Sequence, residues 1–208
     1  MKYLSYRLSA AMWARVLLLW LTLTIGALVV GVVAIGLGRF VQDNIRTELA
    51  SQQITFSAVD KMADEEKQIP GMVENAGQPL TTGNQAKVYS ELMALHVHNI
   101  TASSGYPDAT YATLGGIQRQ LQADLKAVDT KDQAAVDAAQ AKVTAVTNLR
   151  NTLQTASTLR GNLLAAYGWD NVATGIIATG AFMVLLAVVF FVLFVYEWRR
   201  GHLPPTEA

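Results

Sequence analysis

VLLLWLTLTIGALVVGVVAIGLG, residues Val16–Gly38, is 23 residues long and carries no charge. Wound as an α-helix it spans roughly 34 Å, against a hydrocarbon core about 30 Å thick. A second stretch, Asn171–Tyr196, is 26 residues without a charge and ends VLLAVVFFVLFVY. Buried helices of soluble proteins rarely stay uncharged for so long. Both stretches therefore read as transmembrane helices. The first has a rival reading as a secretory signal, with Lys2, Arg7 and Arg15 as its charged lead and Ala34-Ile35-Gly36 resembling a cleavage site. A signal core runs to about 7–15 apolar residues. This one is far longer, which favours an uncleaved anchor.

Orientation follows from the flanks. The N-terminal tail, residues 1–15, holds Lys2, Arg7 and Arg15, and the C-terminal tail, residues 197–208, opens with Arg199 and Arg200 after Glu197 and Trp198. Positive charge beside a span favours the cytoplasm, so both tails point there. Residues 39–170 hold 11 basic and 14 acidic residues and form the extracytoplasmic part; a loop this long translocates whatever its charge. Trp13 and Trp198 fall at the inner boundary, Tyr167 and Trp169 at the outer one, as an aromatic belt requires. The expected location is the plasma membrane, in contact with lipid.

Both spans carry small residues four apart: Ala27/Gly31 and Ala34/Gly38 in the first, Thr174/Ala178 and Gly175/Thr179 in the second. Such pairs let helix backbones approach closely. The partner of these faces is the other span or a second protein.

Between the spans the period is helical. Val41, Ile45 and Leu49 continue the first helix through Arg39–Phe56. Ser57–Gln68 has room for a helical turn or two, Pro70-Gly71 breaks the chain, and Asn75–Gly83 reads as a loop. A helix over Asn84–Ile100 presents Tyr89, Leu92, Met93, His96 and Ile100, with Thr81 or Thr82 as its cap. Another covers Asp108–Val128 with Leu114, Ile117, Leu121, Leu125 and Val128 on one face, although Gly115-Gly116 weakens its first turns. From Asp132, an N-cap, no proline occurs until Pro204. One long helix is expected from there into the second span, with Gly161 or Gly168 as bending points. No run alternates apolar and polar residues as a strand would. The fold class is thus all-α: two transmembrane helices continuing into an antiparallel helical bundle of four segments.

Composition narrows function. Sixteen Lys+Arg balance sixteen Asp+Glu, so no basic surplus points to nucleic acid. The absence of cysteine excludes disulfides, thiolate zinc sites, iron–sulfur clusters and cysteine nucleophiles. His96 and His98, two residues apart on one helix, face different ways and cannot grip one metal there. His96 reads as a packed, hydrogen-bonded histidine and His98 as a solvated one. Asp64-Glu65-Glu66 beside Lys61 and Lys67 reads as a solvated face rather than a cation site. Thr81–Lys87 lacks the order of a phosphate loop. Asn99-Ile100-Thr101 is formally a glycosylation sequon. No catalytic, cofactor or metal residues are assigned.

QQITF at Gln52–Phe56, NAGQPLTTGNQAKVYSELMALHV at Asn75–Val97, TYATLG at Thr110–Gly115 and STLRGNLLAAYGW at Ser157–Trp169 occur in this order. Together they resemble a family of actinobacterial two-span membrane proteins. Ser157 stands where that family commonly has Glu, and Ala165 where it has Asn. Members are often named as aromatic ring-opening dioxygenases. That chemistry needs an open iron site of His and carboxylate ligands, whereas the histidines of residues 39–170 are only His96 and His98. The resemblance implies an envelope protein of two-span topology and brings no established activity.

The expected function is a non-enzymatic accessory or interaction subunit of an envelope complex, a respiratory supercomplex being one concrete version. Its partner would be a membrane protein or a further copy of the chain. The alternative is a sensor ectodomain signalling through a separate cytoplasmic protein bound at Glu197–His202. A metal-dependent enzyme ranks third.

Overall fold

The computed structural model describes residues 10–201. Lys2 and Arg7 of the basic tail, and residues 202–208, lie outside them. The described chain is helical, with five α-helices: α1 Ala10–Ser51, α2 Asp64–Lys67, α3 Gly83–Ser103, α4 Tyr111–Ala127 and α5 Gln133–Gly201. No strand occurs among the described residues; Thr55 and Pro79 form one isolated antiparallel bridge.

Each helix end has a local cause. α1 was expected to reach Phe56, and it stops at Ser51. The amides of Gln52 and Gln53 close a tight turn on Leu49 and Ala50, and Gln53 is left-handed at φ 53°. The next residues are drawn into a cross-chain pairing instead: the Phe56 amide donates to the Gln78 carbonyl at 3.0 Å, and Leu80 to Ile54 at 2.9 Å. α3 starts at a capping box in which Thr82 accepts from the Gln85 amide and the Gln85 side chain accepts from the Thr82 amide. It runs one turn beyond the expected Ile100 and ends in a Schellman motif. There Tyr106 donates to the Thr101 carbonyl and Gly105, at φ 78°, to Ala102. α4 begins at Tyr111, not Asp108, because Asp108 sits at φ 58°, off the helical path, and Thr110 is the cap. α5 opens on Asp132, whose carboxylate accepts from the Ala135 amide at 3.0 Å. It continues unbroken for 69 residues, more than three times the roughly 20 that cross a bilayer.

Contacts divide the chain into two compact units. One contains the chain up to Asn44 and from Asp170 onward; the other is Ile45–Trp169. Within the first unit Gln42 of α1 donates to the Thr174 hydroxyl of α5 at 3.0 Å.

The Ile45–Trp169 unit has two apolar clusters. The larger gathers Leu49, Phe56, Met62, Met72, Leu80, Ala86, Leu92 and Leu163. Phe56 meets Tyr89 edge-on, ring centroids 5.5 Å apart. The smaller joins Leu114 of α4 to Val146, Leu149 and Leu153 of α5, with Val97 and Tyr106 against them. α5 thus serves both clusters, from Leu163 in one and its Val146–Leu153 stretch in the other.

Gly115 and Gly116 do not break α4. Gly115 is buried because Arg150 lies across it, its guanidinium 3.4–3.5 Å from where a Cβ would stand. That guanidinium stacks on Tyr111 at 3.9 Å, donates to the Tyr111 carbonyl at 3.2 Å and donates to Gln118 at 3.1 Å. Arg150→Ala is expected to lower stability in urea unfolding by about 1–2 kcal/mol, from the cation–π contact and the lost hydrogen bonds. Arg150→Lys should recover less than half, because an ammonium cannot form both bonds and the stack together.

Candidate functional site

Three regions present polar chemistry or close helix contact. The first is the turn before α3. Gln85, nearly buried, is its centre. Its Oε1 accepts from the amides of Thr81 (2.8 Å) and Thr82 (3.1 Å). Its Nε2 donates to Asn75 Oδ1 (3.2 Å) and Gln78 Oε1 (3.3 Å), and Asn75 in turn donates to the Gly71 carbonyl at 2.7 Å. Gly71 and Gly77 take left-handed φ of 86° and 71° to let the chain turn. The stretch NAGQPLTTGNQ is therefore a self-bonded knot, and no buried side-chain donor or acceptor among the described residues lacks a partner.

The second region is the histidine face of α3. His96 Nε2 lies 2.8 Å from Glu66 Oε1, and Glu66 Oε2 accepts from the Ala63 amide at 3.0 Å. Asn99 donates to Glu65 at 3.3 Å. The acidic run is thus tied down at Glu65 and Glu66, while Asp64 pairs only locally with Lys67. Glu66 keeps 17 % of its side-chain exposure and His96 43 %, so His96 is hydrogen-bonded but half exposed rather than part of the core. The hydrogen bond from His96 holds the Glu66 carboxyl below the usual range; burial opposes this, and the Ala63 amide and the His96 charge add to it. Burial, then the Glu66 charge, pushes the Tyr89 hydroxyl up.

A carboxylate whose pKa falls on folding adds stability above its unfolded pKa and loses it as pH drops through the folded value. Glu66→Gln is therefore expected to cost stability near pH 7 and progressively less below about pH 4. Urea midpoints of both proteins across that range check this; a gap independent of pH would contradict it.

His98 points elsewhere. Its Nδ1 lies 3.1 Å from Asp108 Oδ1, both side chains being exposed. A pocket of about 270 Å³ opens here, bordered by α3, the α3–α4 turn and α5. A second groove, of about 580 Å³, runs past Ile69, Pro70, Val88 and Leu95. On its rim Lys87 pairs with Glu91 at 3.0 Å and sits 5.9 Å from the Tyr167 ring.

The third region is the seam between the apolar stretches of α1 and α5. A Cβ at Gly31 would lie 2.8 Å from the Gly180 carbonyl and 2.8 Å from a Val184 methyl. One at Gly38 would strike Ile177 and the Ala173 carbonyl, and one at Gly180 the Gly31 carbonyl. Ala27, Ala173 and Ala187 are buried on the same seam, and Ala34 is half-buried. On α5 the seam is Ala173, Ile177, Gly180, Val184 and Ala187, spaced four and three apart as in a heptad. The four candidates on α5 stand differently. Thr174 is exposed but accepts from Gln42. Gly175 is exposed, with open space where a Cβ would be, and Ala178 and Thr179 are exposed.

An iron centre of the ring-opening type does not fit these residues. Among the described residues no three His, Asp or Glu side chains converge, and His96 and His98 engage different carboxylates. No protein-family model, curated protein or solved structure matches the chain.

Proposed function

We propose that the protein crosses a membrane twice, holds Ile45–Trp169 outside the cytoplasm as a helical bundle, and serves as an accessory subunit of an envelope complex. One observation carries the membrane part of this reading. Both apolar stretches are long enough to cross, yet only 17 % of that of α1 and 11 % of that of α5 is buried. A core helix of a soluble protein would be mostly buried. Leu18, Val29, Val33 and Leu37 of α1, and Phe182, Leu185, Val189 and Val192 of α5, stand exposed. In water such a surface would aggregate; lipid or a partner helix covers it at no cost. The signal reading of α1 is disfavoured because cleavage after Gly36 would remove Gly31 from its seat on Gly180.

The interaction role draws on the turn before α3, whose buried polar side chains bond within the chain rather than facing a ligand. The sensor alternative draws on a different feature, the unbroken α5, through which a displacement in one half would reach the other. The resemblance to actinobacterial two-span proteins suits either reading. Purification of the tagged full-length protein in a mild detergent tests the proposal. One membrane-protein partner at fixed stoichiometry, recovering this chain when it is tagged in turn, is expected. Recovery of monomer or homodimer alone would contradict it.

A further inference from the structure

The pocket beside His98 has features the accessory-subunit reading does not use. Arg160 and Ser157, one turn apart on α5, both line it, and neither has a hydrogen-bond or ion-pair partner among the described residues. Asp108, on the turn before α4, lines it too, with Oδ1 engaged by His98 and its other oxygen open. No ion pair links Arg160 to Asp108, although the two carry opposite charge and share one pocket. The pocket is therefore lined by one cation and one anion, both reachable from solvent. The walls are short and apolar: Ala94, Val97, Ala109 and Ala156. At about 30 Å³ per water, 270 Å³ has room for about nine waters or one small organic molecule.

A simple anion on Arg160 would leave the open oxygen of Asp108 unpaired, and a simple cation on Asp108 would leave the guanidinium unpaired. A ligand bearing both charges a few bonds apart satisfies both groups. We propose that this pocket binds a free aliphatic α-amino acid, its carboxylate on Arg160 and Ser157, its ammonium on Asp108 and its side chain on the alanine-lined wall. The guanidinium offers a planar pair of donors suited to a carboxylate.

Calorimetric titration of the full-length protein in detergent with alanine, valine and leucine tests this. Binding of at least one is expected. N-acetylvaline, which lacks the ammonium, and valinamide, which lacks the carboxylate, should each bind at least about tenfold more weakly. Arg160→Ala and Asp108→Asn should each weaken binding by at least about tenfold, with Arg160→Lys between them and the parent. Asn tolerates the left-handed backbone at 108, and unchanged helical content and melting of each variant separates lost binding from lost fold. Arg119→Ala, on α4 outside the pocket, should bind as the parent does. No heat from any of the three amino acids at about 10 mM would overturn the proposal. So would acetate binding as tightly as valine, or affinity indifferent to Arg160 and Asp108.

Discussion

Gly31→Val is expected to separate α1 from α5 and to lower the stability of the paired helices by about 2–3 kcal/mol. The obstacle is backbone: the Gly180 carbonyl stands 2.8 Å from the position a Cβ would take, and the Val184 amide nitrogen 3.0 Å. A side-chain clash can relax by a rotamer change. A carbonyl held in a helix moves only if the whole helix moves. Gly180→Val should behave alike, because its Cβ would meet the Gly31 carbonyl at 2.8 Å. Gly26→Val and Gly175→Val supply the contrast, since neither position has an atom within 4 Å. Thermal unfolding of the four variants in one detergent, with a cysteine pair across the seam reporting helix proximity, checks this. Equal stability of Gly31→Val and Gly26→Val would remove the seam from the account.

Gln85→Leu is expected to cost about 2–4 kcal/mol, because the amides of Thr81 and Thr82 and the side chains of Asn75 and Gln78 lose a shared partner. Leucine matches the size but offers neither donor nor acceptor. Gln85→Glu keeps the acceptor for both amides and should cost less than half as much. Urea unfolding measures the loss. Hydrogen exchange should localise it, with amides of residues 76–82 exchanging faster in Gln85→Leu than in the parent. A neutral Gln85→Leu would mean that the turn is held by its glycines and apolar anchors alone.

Periodicity along the chain was a good guide to the helices. The lack of proline between Asp132 and Pro204 made α5 legible, and Val143, Val146, Leu149, Leu153 and Leu163, at helical spacing along it, are buried. Asp132 was readable as a cap, and Thr82 as one of two candidates with Thr81, because capping is a contact within four residues. The contacts that escaped are long-range. Glu66 meets His96 across 30 positions, and Ile54–Phe56 pairs with Gln78–Leu80 across the whole segment that contains α2. Both are settled by how the larger apolar cluster closes. The seam shows the same limit. Small residues marked Ala27, Gly31 and Gly38 on α1. On α5 the helical phase is set by Ile177 and Val184, large residues that fill the notches left by glycines opposite. A search for small pairs overlooks them. Similarly, Arg150 makes Gly115 useful, an effect invisible from the Gly-Gly pair alone.

The central claim is that α1 and α5 cross a membrane with Ile45–Trp169 outside the cytoplasm. The chain has no cysteine, so any introduced one is a unique label. Ala123→Cys lies at an exposed position of α4, and Thr206→Cys lies in the C-terminal tail. A membrane-impermeant maleimide applied to intact cells is predicted to label Ala123→Cys, and to label Thr206→Cys only after the membrane is opened. Labelling of Thr206→Cys in intact cells, or protection of Ala123→Cys there, would contradict the account.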